Sequence, residues 1–405
     1  GGRRAGPRRP HRRAARAAGD PLGEGAVRRA AAVALLAGAA LLPAGAAAQT
    51  TYVAFGDSIT FGVGDDPARV EKGYPPRLEA LLQARGQAAD VRNEGLPGES
   101  TAEGVTRIVN VLQPGDDVLL LMEGTNDVGR LSVETIQFNL AEIARKAANR
   151  GVPTVHATLV PRLPSATNDG KNQIAAQIAA AVRELAFQNE RRLADPFEVF
   201  FRLTPDFTRL YVGGDDKVHP NALGYDLLAE VFADVLTDRD EVPPVLGFIS
   251  PGLDAQGVSP TAPLRIDLYD FGAGIDLAAT RLVIGGVEVQ TPISGSERKL
   301  EIRYEPPAPW SGVVQVRLRS RDRATPANTL DREVTQFVIA GTVFLPGDID
   351  RDGRVDGADL LAFAPHFGAR RGETRYRGFA DLNTDDQIDG RDLALLASNF
   401  GRSST

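Results

Sequence analysis

The sequence predicts an α/β fold: a three-layer αβα domain around a parallel sheet, then a β-sandwich and a small α-helical tail. Three observations carry this. From Gln49 to Glu241, apolar strand runs alternate with longer helical patterns, the order that gives a parallel sheet covered by helices on both faces. From Val242-Pro-Pro-Val to about Thr342, short alternating runs separated by Gly and Pro replace them, the sign of an antiparallel sandwich. Beyond that, an acidic loop occurs twice, 33 residues apart (Asp348 and Asp381).

In the first region the spacing predicts strands at Tyr52–Phe55, Asp90–Asn93, Asp117–Met122, Thr154–Leu159 and Leu193–Phe197. Helices are expected at Pro75–Arg85, Thr101–Leu112, Val133–Arg150, Asn172–Gln188 and Asn221–Leu236. The unbroken apolar run Val118-Leu-Leu-Leu-Met122 fits a strand buried on both faces. In the second region strands are expected at Leu264–Tyr269, Thr280–Ile284, Lys299–Tyr304, Val313–Arg319 and Glu333–Ile339. In the third, each acidic loop runs into an apolar helix ending in Phe-Gly, Leu360–Gly368 and Leu393–Gly401.

At 405 residues with 42% hydrophobic content, the chain is long enough for two or three packed domains. It has no cysteine, which excludes disulfides, thiolate metal sites and a thiol nucleophile. Residues 1–48 hold nine Arg against Asp20 and Glu24, so the remainder carries 37 basic and 51 acidic groups, a net −14. That charge argues against nucleic acid as a partner. Residues 1–25, rich in Arg, Ala, Gly and Pro, read as a basic disordered or spurious extension. Residues 26–48 read as a signal peptide: Arg28-Arg29, an apolar run from Ala30 to Leu42, then Ala46-Ala-Ala48. The apolar run is too short for a permanent membrane span, so an exported protein without an integral membrane segment is expected. The remaining segments are taken as 49–241, 242–342 and 343–405.

Chemistry centres on Thr51-Tyr-Val-Ala-Phe-Gly-Asp-Ser-Ile-Thr60. Ser58 falls on the turn leaving the carboxyl end of a strand, where open α/β sheets place their sites. A serine hydroxyl attacks an acyl carbon only if a base removes its proton and donors hold the oxyanion. Of the four histidines, His11 lies in the leader, His366 in the tail repeat, and His156 in an apolar strand as a core residue. His219 alone has an Asp three residues before it, within Asp216-Lys-Val-His-Pro220. One turn of loop or helix between them lets the Asp216 carboxylate reach Nδ1 and leaves Nε2 facing outward.

Two further stretches, Asn93-Glu-Gly-Leu-Pro-Gly-Glu-Ser-Thr101 and Glu123-Gly-Thr-Asn-Asp127, complete a set of four. In order and spacing the four resemble the blocks of the SGNH (GDSL-type) ester hydrolases, over roughly Gln49 to Glu241. The resemblance implies a flavodoxin-like αβα domain with Ser58 as nucleophile, His219 as general base and Asp216 as its orienter, the family spacing preferring Asp216 to Asp215. It implies an oxyanion hole from the Ser58 N–H, a glycine N–H of the second block and the Asn126 amide. Gly98 is favoured for the glycine because it heads Gly-Glu-Ser-Thr, with Gly95 as its rival. Asp57 and Asp127 are expected to brace loops, and no cofactor is expected for catalysis.

The acidic loops place oxygen ligands at positions 1, 3, 5, 9 and 12, as a calcium loop requires. In the first these are Asp348, Asp350, Asp352, Asp356 and Asp359, with the Arg354 carbonyl at position 7. In the second they are Asp381, Asn383, Asp385, Asp389 and Asp392, with Gln387 at position 7. Asp at position 12 and the lack of a helix before each loop resemble the duplicated F-hand of dockerin modules. That implies two structural Ca2+ ions and a cohesin-like scaffold as a candidate partner, although Gly357-Ala358 and Gly390-Arg391 lack the hydroxyl pairs of cellulosomal dockerins. Position 6 is Gly353 in one loop and Asp386 in the other, so the second site is expected to be the weaker.

The middle segment loosely resembles bacterial immunoglobulin-like modules and reads as a spacer. Trp310, the only tryptophan, would either stack on a sugar or anchor a packed loop. The function expected is a secreted serine ester hydrolase working through an acyl-enzyme on acylated polysaccharide, as a carbohydrate O-acetyl esterase. The alternatives are an extracellular lipase or lysophospholipase, and a calcium-dependent docking or adhesion protein with an inactive hydrolase-like domain.

Overall fold

In the computed structural model, the apolar runs after Gln49 form five parallel strands: β1 (Thr50–Gly56), β2 (Ala89–Gly95), β3 (Val118–Met122), β4 (Thr154–Ala157) and β5 (Leu193–Ala194), in the spatial order β2-β1-β3-β4-β5. The structure describes residue 1 and residues 49–165, 168–204, 206–340, 345–350, 353–371 and 375–403. The expected basic extension beyond Gly1, the expected signal peptide (26–48) and Asp352 lie outside the described residues.

Alternation along the strands sorts their side chains into two cores. Tyr52, Ala54, Leu120 and Met122 face α2 (Pro75–Ala84) and α7 (Ala222–Leu236), where Leu78, Leu82, Leu228 and Phe232 meet them. Val53, Phe55, Leu119 and Leu121 face the other way. They pack with Ile108 of α3 (Thr101–Val111), Ile136 and Leu140 of α4 (Val133–Ala148), and Ile178 and Val182 of α5 (Asp169–Gln188). Apolar residues on both faces of β1 and β3 make this a three-layer αβα domain. A four-residue helix, α1 (Ser58–Phe61), follows β1 directly.

Strand β5 stops sooner than its apolar pattern suggests. Asp195 accepts the Glu198 N–H and Pro196 opens the one-turn helix α6 (Pro196–Glu198). Proline has no N–H for the ladder and suits a first helical position, so the chain leaves the sheet there.

A short ribbon, β6 (Tyr211–Gly213) with β7 (Asp216–Pro220), leads into α7. After it come two sheets around one apolar core. One runs β13-β14-β10-β8, from Ile293–Ser296, Lys299–Tyr304, Leu264–Tyr269 and Val245–Ser250. The other runs β12-β11-β15-β16-β9, from Val287–Val289, Arg281–Ile284, Val313–Arg321, Thr329–Ile339 and Ala255–Val258. All pairs are antiparallel except β9 with β16, which is parallel, a departure from the all-antiparallel expectation. The four strands the spacing missed are β8, β9, β12 and β13, which are short or interrupted by Gly247, Gly257 and Gly295. Trp310 proves to be the loop anchor: its indole N–H donates to the Ala262 carbonyl at 2.8 Å and its ring lies between Tyr304 and Phe337.

In the tail, α8 (Gly357–Phe363) and α9 (Gly390–Asn399) pack through Phe363 and Leu396 on Ile349, Val355 and Ile388. Helix α8 is shorter than expected, because Pro365 turns the next residues into a 3₁₀ turn, Ala364–His366.

The sandwich is seated on α5 and α6. Lys299 Nζ reaches Glu184 at 2.7 Å, Tyr269 donates its hydroxyl to the same carboxylate, and Arg332 pairs with Glu198 at 2.8 Å. Arg183 is buried between the layers, donating to both oxygens of Asp195 (2.8 and 3.1 Å) and to the Leu246 carbonyl. Removing one partner of a buried ion pair leaves the other charge uncompensated. Arg183→Met is therefore expected to lower unfolding free energy by about 3–5 kcal/mol in urea titration, whereas a change under about 1 kcal/mol would mean that Asp195 finds another partner.

Candidate active site and calcium loops

Three of the four blocks leave the sheet level with one another. In the ladder Gly56 pairs with Gly95 on one side and Met122 on the other, so the loops after β1, β2 and β3 start side by side. Ser58 opens α1, where Asp57 caps the helix by accepting the Ile59 N–H at 2.9 Å. The fourth block arrives from the other end of the domain on β7.

Ser58, His219 and Asp216 lie in one hydrogen-bonded line. His219 Nε2 is 2.9 Å from Ser58 Oγ, and Nδ1 is 2.8 Å from Asp216 Oδ2. The segment between Asp216 and His219 is extended, not the turn of loop or helix expected. The carboxylate reaches back because its Oδ1 accepts the N–H groups of Val218 (3.1 Å) and His219 (3.0 Å). Burial by itself raises the Asp216 carboxyl; the hydrogen bonds from His219 and Val218 outweigh it and hold the group below the usual carboxylate range. Asp215 is exposed in the adjoining turn. The His219 and Asp216 side chains are 21% and 32% exposed, whereas Ser58 is buried.

Gly98 follows Pro97 in a turn closed by the Glu99 N–H on the Leu96 carbonyl (3.1 Å), with φ +85°. That left-handed backbone favours glycine. Its rival Gly95 serves packing, since a Cβ there would lie 2.1 Å from the Phe61 nitrogen. Asn126 sits in the 3₁₀ turn Thr125–Asp127 and donates one amide proton to the Glu99 carbonyl at 2.8 Å. The second amide proton remains for a substrate oxygen. Asp127 accepts the Thr101 N–H at 2.8 Å and so joins the third block to the start of α3. His156 is a core residue on β4, its ring pushed down to about 4 by burial and the nearby Arg191.

Several supporting residues carried no readable spacing. Arg107, on α3, pairs with Glu99 (2.6 and 2.5 Å), donates to the Glu94 carbonyl (3.0 Å) and stacks over Phe55. It ties the second block to the ends of β1 and β2. Arg162 donates to the Thr125 carbonyl at 2.6 Å. Glu123, the first residue of the third block, is 1% exposed; Oε1 accepts the Gly124 N–H and Oε2 has no partner. Burial, then the nearby Asp57 and Glu99, push its carboxyl well above the usual range. Asp57 is likewise pushed up by burial, against hydrogen bonds from Ile59 and Thr125.

In the tail, Asp348, Asp350 and Asp359 bring carboxylate oxygens within 4.8 Å of one another, a donor set suited to a hard cation. Asp348 accepts the Gly353 N–H at 3.2 Å, and Asp359 accepts the Ile349, Asp350 and Asp356 N–H groups, wrapping the loop around the cluster. The second loop closes the same way. Asp381 accepts the Asp385 and Asp386 N–H groups, and Asp392 those of Leu382, Asn383 and Asp389. Asp356 and Asp389 cap α8 and α9. Arg354 and Gln387 form matching bridges, to Ser403 and Arg370. Position 6 is left-handed in both loops, φ +88° at Gly353 and +65° at Asp386. The second loop also carries cations: Arg391 reaches Asp385 at 3.1 Å and Arg371 reaches Asp386 at 2.7 Å.

Glu123 makes a pH prediction. Its folded pKa lies above the unfolded value of about 4.3, so between the two the folded protein keeps a proton that the unfolded chain releases. Stability from this group is present below that window and falls as pH rises through it. Glu123→Gln mimics the protonated acid, so the wild type is expected to lose melting temperature relative to the variant as pH rises above the unfolded value of about 4.3. Parallel curves across that range would show that Glu123 is ionised in both states.

Comparison with known proteins places these two sites in families. Residues 54–227 match the GDSL-like Lipase/Acylhydrolase family and residues 346–400 the Dockerin type I domain. Among solved structures, the lipase/acylhydrolase from Enterococcus faecalis is similar at 20% identity over 45% of this chain and 93% of its own, with a TM-score of 0.37. A member of the lipolytic protein G-D-S-L family from Veillonella parvula is similar at 22% identity over 46% and 98%, with a TM-score of 0.39. A catalytic mutant of Axe2, an acetylxylan esterase from Geobacillus stearothermophilus, is similar at 20% identity over 46% and 94%, also with a TM-score of 0.39. No curated protein matches the chain. Dockerin type I domains bind calcium through EF-hand-like loops. Residues 54–227 belong to the GDSL-like lipase/acylhydrolase family and residues 346–400 are a dockerin type I domain, so the chain is a carboxylic ester hydrolase with an appended dockerin.

Proposed function

We propose that the protein is an exported serine ester hydrolase that removes short acyl groups, acetyl above all, from polysaccharide. The carrying observation is the line Asp216–His219–Ser58, with both hydrogen bonds under 3 Å. Ser58 Oγ attacks the acyl carbon while His219 Nε2 takes its proton. The Ser58 and Gly98 N–H groups and the Asn126 amide bind the oxyanion. His219 then protonates the departing alcohol and activates the water that releases the acid, and Asp216 holds the ring. The segments 49–241, 242–342 and 343–405 act as catalytic domain, β-sandwich and docking tail. The two tail loops each hold one structural calcium ion, catalysis uses none, and a cohesin-like protein is the partner. No helix among the described residues is long and apolar enough to cross a membrane.

Ser58→Ala and His219→Ala are each expected to bring p-nitrophenyl acetate hydrolysis to background with an unchanged circular dichroism spectrum, because the two act as a unit. Asn126→Ala is expected to lose roughly 10²–10³ in kcat, the effect of one oxyanion donor. Wild-type turnover in Ser58→Ala would overturn the assignment of the nucleophile. Across a series of p-nitrophenyl esters the acetate is expected to turn over fastest, with acetate released from acetylated xylan. A maximum at long chains would favour the lipase reading instead.

The second calcium loop is expected to bind more weakly than the first, through the strain at Asp386, the charge lost at Asn383 and the cation at Arg391. A left-handed Asp costs about 1 kcal/mol. Asp386→Gly is therefore expected to tighten the weaker site about fivefold in calorimetric titration. No tightening would place the difference elsewhere in the loop.

A further inference from the structure

Away from both sites, three aspartates from distant parts of the chain converge. Asp240 lies just beyond α7, Asp270 follows β10, and Asp322 follows β15. Each offers a carboxylate oxygen, and the three atoms lie within 4.8 Å of one another. Ligands bound 2.3–2.6 Å from one calcium ion lie at most about 5 Å apart, so the spacing fits. Asp270 is 3% exposed and Asp322 1%. Among the described residues no Lys or Arg forms an ion pair with any of the three.

The carboxylates are held from behind by protein donors. Asp322 accepts the N–H groups of Ala324 and Asn328 and the Asn328 amide. Asp240 accepts from Ala273 at 2.6 Å and, at 3.4 Å, from Val242. Asp270 Oδ1 accepts from Gly272 (2.9 Å) and Gly274 (2.8 Å), but its Oδ2 is buried with no hydrogen-bond partner. A buried carboxylate oxygen without a donor, facing two more carboxylates, is costly unless a cation or a proton offsets the charge.

We propose that Asp240, Asp270 and Asp322 form a structural calcium site that fastens the end of the catalytic domain to two loops of the β-sandwich. All-oxygen, carboxylate-rich ligation selects a hard divalent ion, and calcium accepts the irregular geometry and added waters that three protein ligands leave. The ion bridges parts of the chain that otherwise meet there through hydrogen bonds such as Asn328 Nδ2 to the Asp240 carbonyl (3.1 Å). An affinity in the range of extracellular modules, about 10⁻⁴–10⁻³ M, is expected.

The test uses the full chain with both tail loops disabled by Asp348→Ala and Asp381→Ala, so that tail binding does not mask the junction. Equilibrium dialysis with radioactive calcium is expected to find one ion per chain, and about 10 mM calcium, above the expected affinity range, to raise the melting temperature. Adding Asp270→Asn, which keeps an oxygen for Gly272 and Gly274, is expected to abolish both effects and leave p-nitrophenyl acetate hydrolysis intact. Asp322→Asn serves as an independent second variant. If the parent with disabled loops binds no calcium, the proposal fails whatever the variants do. It also fails if Asp270→Asn binds calcium as the parent does, or if that change raises the melting temperature and calcium shifts neither protein, the behaviour of a protonated Asp270.

Discussion

The parallel pairing of β1 with β2 and β3 is the constraint on which the rest of the catalytic domain depends. Gly56 is level with Gly95 and Met122, so the loops carrying Ser58, Gly98 and Asn126 begin from one row of the sheet. A slip of β1 by one residue would move Ser58 by about 3.3 Å and exchange its two apolar faces. A 2.9 Å contact with His219 does not survive such a shift. The two-sided burial of Val53/Phe55 and Tyr52/Ala54 forbids the slip, so the packing that stabilises the sheet also aims the serine.

Around that row, buried charge is handled in two ways. Arg107 with Glu99 and Arg183 with Asp195 are paired, and each pair also holds backbone from different elements together. Glu123 and Asp57 are buried without a cation of their own, and their carboxyls rise instead. The first arrangement makes a rigid frame of the block ends. The second places acids of raised pKa in and beside the serine turn, where burial disfavours their charged form.

The tail works on a different scale. Its core is small, around Ile349, Val355, Phe363, Ile388 and Leu396, and each loop is stitched mainly by its own backbone donors. The donors and acceptors that close each loop lie within twelve residues of one another, which is why the spacing of acidic residues was so informative there. The β-sandwich is the opposite case. Strands β8, β9, β12 and β13 are short or broken by glycine and carry little alternation, so partner strands rather than local preference place them.

By itself the sequence determined the αβα alternation, the strand bearing Ser58, the D-x-x-H pair and the two acidic loops. These rest on periodicity or on residues close enough in the chain for spacing to be geometry. Only the tertiary structure decided the end of β5 at Pro196, the extended path from Asp216 to His219 and the anchoring role of Trp310. It alone brought Arg107 to Glu94, buried Glu123 beside Asp57, and gathered Asp240, Asp270 and Asp322. The physical reason is the same in each case: these residues are joined by packing between distant segments, and desolvation, which sets their charge and their partners, depends on what the rest of the chain folds over them.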